Sequence, residues 1–296
     1  MLKKSTNNIT KKVYKSAIVA DIIWFVCFIV TWGSLIILWN TWWVIILVPI
    51  FTIFLAGMAE VIHQAAHNSL FGRSLMLNKL VGSFASAMMF GIDLQAYRRF
   101  HFKHHQTVNT LDDPERILYA SPAYIELVKI WDKLSFIKKI FLFPSVIAMM
   151  GKELATELSS KSPLVHIFRW GIPLAILFIG FLEGYRYLLI PMVFIVWYLP
   201  FGLFLIFDIF LTQGEHYGTP NVQGHVVKAS DQYKISWNLE LPIIIKLMIM
   251  GRNLHAEHHE NPGIHWSISY DRKIGRTLPF KDYLQSWWAK GPRVST

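Results

Sequence analysis

The long apolar runs decide the fold class before any other feature is read. A helix needs roughly 20 predominantly apolar residues to cross the hydrocarbon core of a bilayer, and two closely spaced pairs of runs meet that length. SAIVADIIWFVCFIVTWGSLIILW at 16–39 is followed, after the uncharged turn around Asn40, by WVIILVPIFTIFLAGMAEVI at 43–62. LVHIFRWGIPLAILFIGFL at 164–182 leads through Glu183 and Arg186 to YLLIPMVFIVWYLPFGLFLIFDIFL at 187–211. With 53% hydrophobic and 16% charged residues in a chain of 296, the reading is an all-α integral membrane protein. It is expected to be a single domain with four spans in two hairpins. Trp39, Trp42 and Trp43 stand at the first turn like an interfacial belt.

Two other apolar stretches do not read as spans. LMLNKLVGSFASAMMFGI at 75–92 contains Asn78, Lys79 and several serine and glycine breaks, which favours an interfacial or re-entrant helix. LPIIIKLMIM at 241–250 is too short to cross. Four spans leave the amino terminus, 63–163 and 212–296 on one side, and these segments hold nearly all the Lys and Arg. The positive-inside rule makes that side cytoplasmic, with 63–163 and 212–296 forming a helical cap. The net charge of +10 then belongs to membrane topology. No basic stripe interleaved with aromatics supports a nucleic-acid partner. The start MLKKSTNNITKKVYK is basic, but the run after it exceeds a signal-peptide core and lacks a small-residue cleavage site, so an uncleaved first span is expected.

The polar side of the chain is dominated by histidine. HQAAH carries His63 and His67, HFKHH carries His101, His104 and His105, GEHYG carries His216, and HAEHH carries His255, His258 and His259. With 12 histidines in 296 residues, an HxxHH pattern is expected roughly 0.02 times by chance, and it occurs twice. On a helix, positions i, i+3 and i+4 share a face, so each cluster is expected to aim at a common point. Imidazole is a common metal ligand and suits iron, copper, nickel and zinc, whereas magnesium and calcium prefer oxygen. The single cysteine, Cys27, excludes a thiolate cluster within one chain. Eight or nine imidazoles are too many for one ion, so two ions with open positions are implied. Each ligand should pass its other ring N–H to an acceptor. Asp113, Glu215, Glu257 and Asp208 are the leading candidates, among neighbours that include Asp93, Asp112, Glu115 and Glu260.

HQAAHNSLFG, YRRFHFKHHQTVNTLDDPE and NLHAEHHENPGIHW resemble the three histidine boxes of the membrane fatty acid desaturase superfamily, which also includes acyl hydroxylases and carotenoid hydroxylases and ketolases. The resemblance implies a non-haem di-iron centre, two Fe ions with O2 as co-substrate, that removes hydrogen from an unactivated C–H bond. It assigns His63 and His67 to box one, His101, His104 and His105 to box two, and His255, His258 and His259 to box three. His216 matches an additional histidine found between boxes two and three in many members. Desaturation of a fatty acyl chain is the leading reading. A hydroxylase or ketolase of an acyl lipid or carotenoid stays open, because both chemistries begin with C–H cleavage. A membrane zinc hydrolase is more distant, since such sites usually show HExxH and box one here holds Gln64, Ala65 and Ala66.

Oxygen activation of this kind needs two electrons from outside. The sequence has no GxGxxG after a strand, no cysteine cluster and no HPGG-type segment, so a separate donor of ferredoxin or cytochrome b5 type is expected. The basic cytoplasmic face would steer an acidic carrier. His166, His225 and His265 lack ligand spacing and are read as interfacial, surface or packing residues. Asp21, a carboxylate inside an apolar run, is treated in the same way.

Overall fold

The computed structural model describes residues 2–89, 91–115, 122–158, 163–185, 187–269 and 275–291. Helix α1 (Leu2–Ile37) turns into α2 (Val44–Ala66). The buried positions of α1, among them Ala17, Asp21, Trp24, Phe28 and Leu35, fall on one helical stripe, while Val19, Ile22, Ile23, Val26, Ile29 and Val30 are exposed. A helix apolar on its exposed face as well as its buried one suits hydrocarbon rather than water. Three stretches are long and apolar enough to cross a membrane: Lys15–Ile37, Val44–Arg73 and Leu189–Glu215.

The third comprises α8 (Leu189–Val193), a π-helical turn over Phe194–Tyr198 and α9 (Leu199–Glu215). Widening the helix there accommodates Pro200, which has no N–H to give. The turn also buries Trp197 against Trp32 and Phe201, with ring centroids 5.7 and 4.6 Å apart.

The expected span at 164–182 corresponds to α7 (Pro163–Leu182), whose described apolar stretch, Trp170–Leu182, falls short of span length. Arg186, read as part of the second hairpin turn, lies outside the described residues. The second span was expected to stop before box one. The helix α2 continues through His63 to Ala66, with His67 as its cap, so box one stands on the continuation of that helix. Trp39 is also not part of a belt: it is buried edge-on against Tyr185 at 5.4 Å, and only Trp42 and Trp43 are exposed, stacked at 4.0 Å.

Between α2 and α7 lie α3 (Leu75–Met88), α4 (Leu94–Thr107), α5 (Pro122–Trp131) and α6 (Phe136–Leu158). The 14 residues of α3 reach only about 21 Å, too short to span. Its Leu75, Met76, Leu80 and Phe84 face outward, while Asn78 and Gly82 are buried, the arrangement of a helix lying in an interface. After α9 come α10 (Ala229–Gln232), β1 (Trp237–Glu240), α11 (Ile243–Met248), α12 (His255–Glu260), α13 (Trp266–Ser269), β2 (Arg276–Pro279) and α14 (Phe280–Lys290). The parallel pair β1 and β2, with Asn238 opposite Thr277, is a small addition to an otherwise helical fold.

Close approaches bind the helices to the polar cap. At Gly57 of α2 an added Cβ would lie 2.2 Å from Met248 O and 2.5 Å from the Trp24 ring. The missing side chain lets Trp24 Nε1 donate to Met248 O at 2.8 Å. Lower on α1, buried Asp21 accepts from the Phe71 N–H at 2.8 Å and from Trp266 Nε1 at 2.9 Å, with His265 Nε2 also at 2.9 Å. Its carboxylate is therefore satisfied by three groups, and it ties the segment after box three to the first span.

Candidate metal centre

Four elements deliver the histidines. The last turn of α2 supplies His63 and His67, α4 supplies His101, His104 and His105, the end of α9 supplies His216, and α12 supplies His255, His258 and His259. Asp93 starts α4 by accepting the Ala96 N–H at 2.7 Å, a capping bond that fixes the helix phase. The short α12 is held by β1: Asn238 Oδ1 accepts from the Ala256 N–H at 3.0 Å, and Leu239 N donates to Asn253 O at 2.8 Å.

The nine imidazoles gather into two sets: His63, His67, His101, His105 and His258 in one, and His104, His216, His255 and His259 in the other, with all ligand atoms of a set within 4.8 Å of one another. This corrects the expectation that each box aims at a single point. In both HxxHH boxes the outer pair, i and i+4, joins one set and the i+3 residue joins the other. Box two gives His101 and His105 to the five-histidine set and His104 to the four; box three gives His258 to the five and His255 and His259 to the four. The reason is helical phase. At about 100° per residue, i and i+4 diverge by about 40°, whereas i+3 and i+4 diverge by about 100°.

Within each set the Nε2 atoms crowd together. His258 Nε2 lies 2.8 Å from that of His63, 2.9 Å from His105 and 3.3 Å from His101. His255 Nε2 lies 3.0 Å from His216 and 2.9 Å from His259. The opposite ring atoms face acceptors: His63 Nδ1 lies 2.7 Å from Glu60 Oε2, His104 Nδ1 2.9 Å from Asp113 Oδ1, and His216 Nδ1 2.9 Å from Ile235 O. A neutral imidazole that donates from Nδ1 has only a lone pair at Nε2. Lone pairs converging at such distances repel unless a cation lies among them. His67 Nε2 is buried with no hydrogen-bond partner among the described residues, as suits a nitrogen that ligates a metal ion. With metal–nitrogen bonds of about 2.0–2.1 Å, two ligands at a right angle sit ~3 Å apart, so the donor set fits a pair of metal ions.

Electrostatics reinforce this. Burial, then the neighbouring imidazoles, holds His101, His255, His258 and His259 well below the ordinary 6.5. The same causes bring His105 down to about 3. These rings are neutral at physiological pH, as ligation requires. His104 differs: burial opposes its charge, but Asp113 and Glu115 outweigh it and raise the ring to about 9. Asp113, though buried, is drawn down to about 2 by His104. The carboxylate thus anchors His104 as a strong donor pair that would raise the basicity of Nε2.

The anticipated carboxylates are distributed as follows. Asp113 contacts His104, and Glu215 Oε2 lies 3.7 Å from His255 Nδ1. Asp208 reaches the centre only indirectly, pairing with Arg252, whose Nε donates to Glu215 Oε1 at 3.3 Å. Glu257 is buried within α12. Asp93 is a helix cap, and Asp112 pairs with exposed His225 at 2.6 Å. His166 is exposed, whereas His265 is buried against Asp21.

Sequence reasoning missed Glu60, Tyr97 and Gln232. Glu60 stands one turn before His63, a lone carboxylate in an apolar run, and that was a readable signal. Tyr97 stacks on His101 at 5.6 Å from the preceding turn of the same helix. Gln232 ends the short helix α10, distant in sequence from the boxes, and carries no spacing signal.

A helical membrane-type fold that gathers two adjacent histidine sets at the ends of its long apolar helices defines a membrane-type protein with histidine clusters able to hold metal ions. The chain belongs to the fatty acid desaturase family, whose sequence model matches residues 38–269. No curated protein matches it.

Proposed function

We propose that the protein is an O2-dependent di-iron oxidoreductase that desaturates a fatty acyl chain. The observation that carries this reading is the division of nine buried or half-buried imidazoles into sets of five and four, within a member of the fatty acid desaturase family. His63, His67, His101, His105 and His258 would hold one iron, and His104, His216, His255 and His259 the other. When bound, the pair supplies reductive O2 activation and abstraction of hydrogen from an unactivated C–H bond.

The chain's own contribution is to prepare that place. Glu60, Asp113 and the Ile235 carbonyl take the outward N–H of His63, His104 and His216, which keeps each Nε2 lone pair directed inward. Most of the imidazoles are buried, limiting the water that would divert a strong oxidant. Redox chemistry needs iron or another redox metal in these nitrogen sites, since zinc performs none.

Topology supports four spans. Both α2 and α9 end at the proposed metal centre, which favours one further crossing between them, and α7 is the apolar helix that would make it. The positive-inside rule then puts both termini and the histidine boxes on the cytoplasmic side, where a ferredoxin or cytochrome b5 type donor would deliver electrons.

The test is expression in a host with a competent reductase, followed by mass spectrometry of extracted lipids. Loss of two hydrogens from an acyl chain is the expected result. A gained oxygen would replace desaturation with hydroxylation or ketone formation, and unchanged lipids with a zinc-loaded protein would support a hydrolase.

A further inference from the structure

One buried amide oxygen serves both histidine sets. Gln232 Oε1 lies 3.5 Å from His105 Nδ1, in the five-histidine set, and 3.4 Å from His259 Nδ1, in the four-histidine set. Both distances are at the long end of the hydrogen-bond range, consistent with one oxygen placed between two donors. The orientation of the amide is determined by its surroundings. Gln232 Nε2 donates to Val227 O at 3.4 Å, and the Val227 N–H in turn donates to Gln106 O at 2.8 Å, one residue beyond His105 on α4. Ser236 Oγ donates to the main-chain carbonyl of Gln232 at 2.9 Å, holding the residue's backbone in place. A reversed amide would turn its NH2 toward two N–H groups and away from the Val227 carbonyl, so the oxygen faces the imidazoles.

We propose that Gln232 is a positioning residue common to both metal positions, whose single oxygen fixes the tautomer and ring angle of one ligand in each set. The proposal rests on the ligand assignment above. Glu60 and Asp113, by contrast, each reach a histidine of one set only. Outer partners of metal-bound histidines contribute about 10–100-fold in metal affinity. Losing the Gln232 acceptor should therefore loosen both ions, and losing the Asp113 acceptor only one.

The test is anaerobic Fe(II) release to a competing chelator, with the Mössbauer spectrum of the ferrous protein recorded in parallel. In Gln232→Leu, both irons are expected to be retained about 10-fold less tightly, with both quadrupole doublets altered. In Asp113→Leu, which removes the acceptor nearest His104 Nδ1, one iron is lost early while the other is held. Gln232→Glu, which keeps an acceptor in place, restores retention at both positions. Gln232→Asn is one methylene shorter and is read in place of the leucine variant if thermal melting of the metal-free protein shows that variant to be unfolded. Weakened retention at only one position, or at neither, overturns the proposal while leaving the di-iron reading intact. Failure of the unaltered protein to hold two irons defeats the ligand assignment instead.

Discussion

At the scale of single residues, histidines in this chain are separated by what their second nitrogen touches. His104 and His225 both pair with a carboxylate, Asp113 and Asp112 respectively. His104 is fully buried with its Nε2 3.3 Å from that of His259, whereas His225 is exposed. His104→Ala is expected to abolish turnover and lower iron content, and His225→Ala to leave both unchanged. Equal iron content in the two variants would contradict the assignment. Glu60→Gln removes the charge that holds His63 and is expected to weaken iron retention by about 10–100-fold, read by chelator competition. The boxes themselves were legible from sequence because repeated HxxHH is rare. Gln232 was not, since a lone glutamine ending a four-residue helix acquires its meaning only when α10 packs between α4 and α12.

At the scale of elements, helical phase does the sorting, so the box helices have to keep their rotation to within a few tens of degrees. For α12, only six residues long, that rotation depends on its neighbours. Gly275 just before β2 has φ +78°, and an added Cβ would lie 2.4 Å from Ala256 Cβ. Gly275→Ala combines left-handed strain with overpacking and should cost about 1–3 kcal/mol. Thermal unfolding is expected to move down, and iron to be lost from positions that depend on His255, His258 and His259. An unchanged melting temperature with full iron would show that α12 is held by something else. Three of the four spans expected from the sequence coincide with helices long and apolar enough to cross a membrane, since length and hydropathy suffice for that. The sequence assigned Trp39 to a belt, whereas packing against Tyr185 buries it.

At the scale of the whole molecule, the fold brings residues about 195 positions apart, such as His63 and His258, into one buried cluster, and pH should reveal the strain of doing so without metal. His105 is held neutral down to about 3 and four other box histidines well below 6.5. The unfolded chain therefore binds more protons once pH falls below about 6.5, and each such histidine tilts stability by up to about 1.4 kcal/mol per pH unit. His104 acts in the opposite direction: its contribution is present below 6.5 and lost as pH rises through about 9. Because the lowered histidines outnumber His104, the metal-free protein is expected to melt at progressively lower temperature as pH falls from 7 toward 4, and bound metal to flatten that dependence. What sequence could not supply at this scale was the sorting into two sets, because it depends on how α2, α4, α9 and α12 meet. The most direct measurement of that sorting is iron-edge X-ray absorption on the purified protein, combined with metal counting. Two irons per chain are expected, in a shell dominated by imidazole nitrogen and averaging four to five such ligands per iron. A single iron, or a shell rich in oxygen, would contradict that expectation.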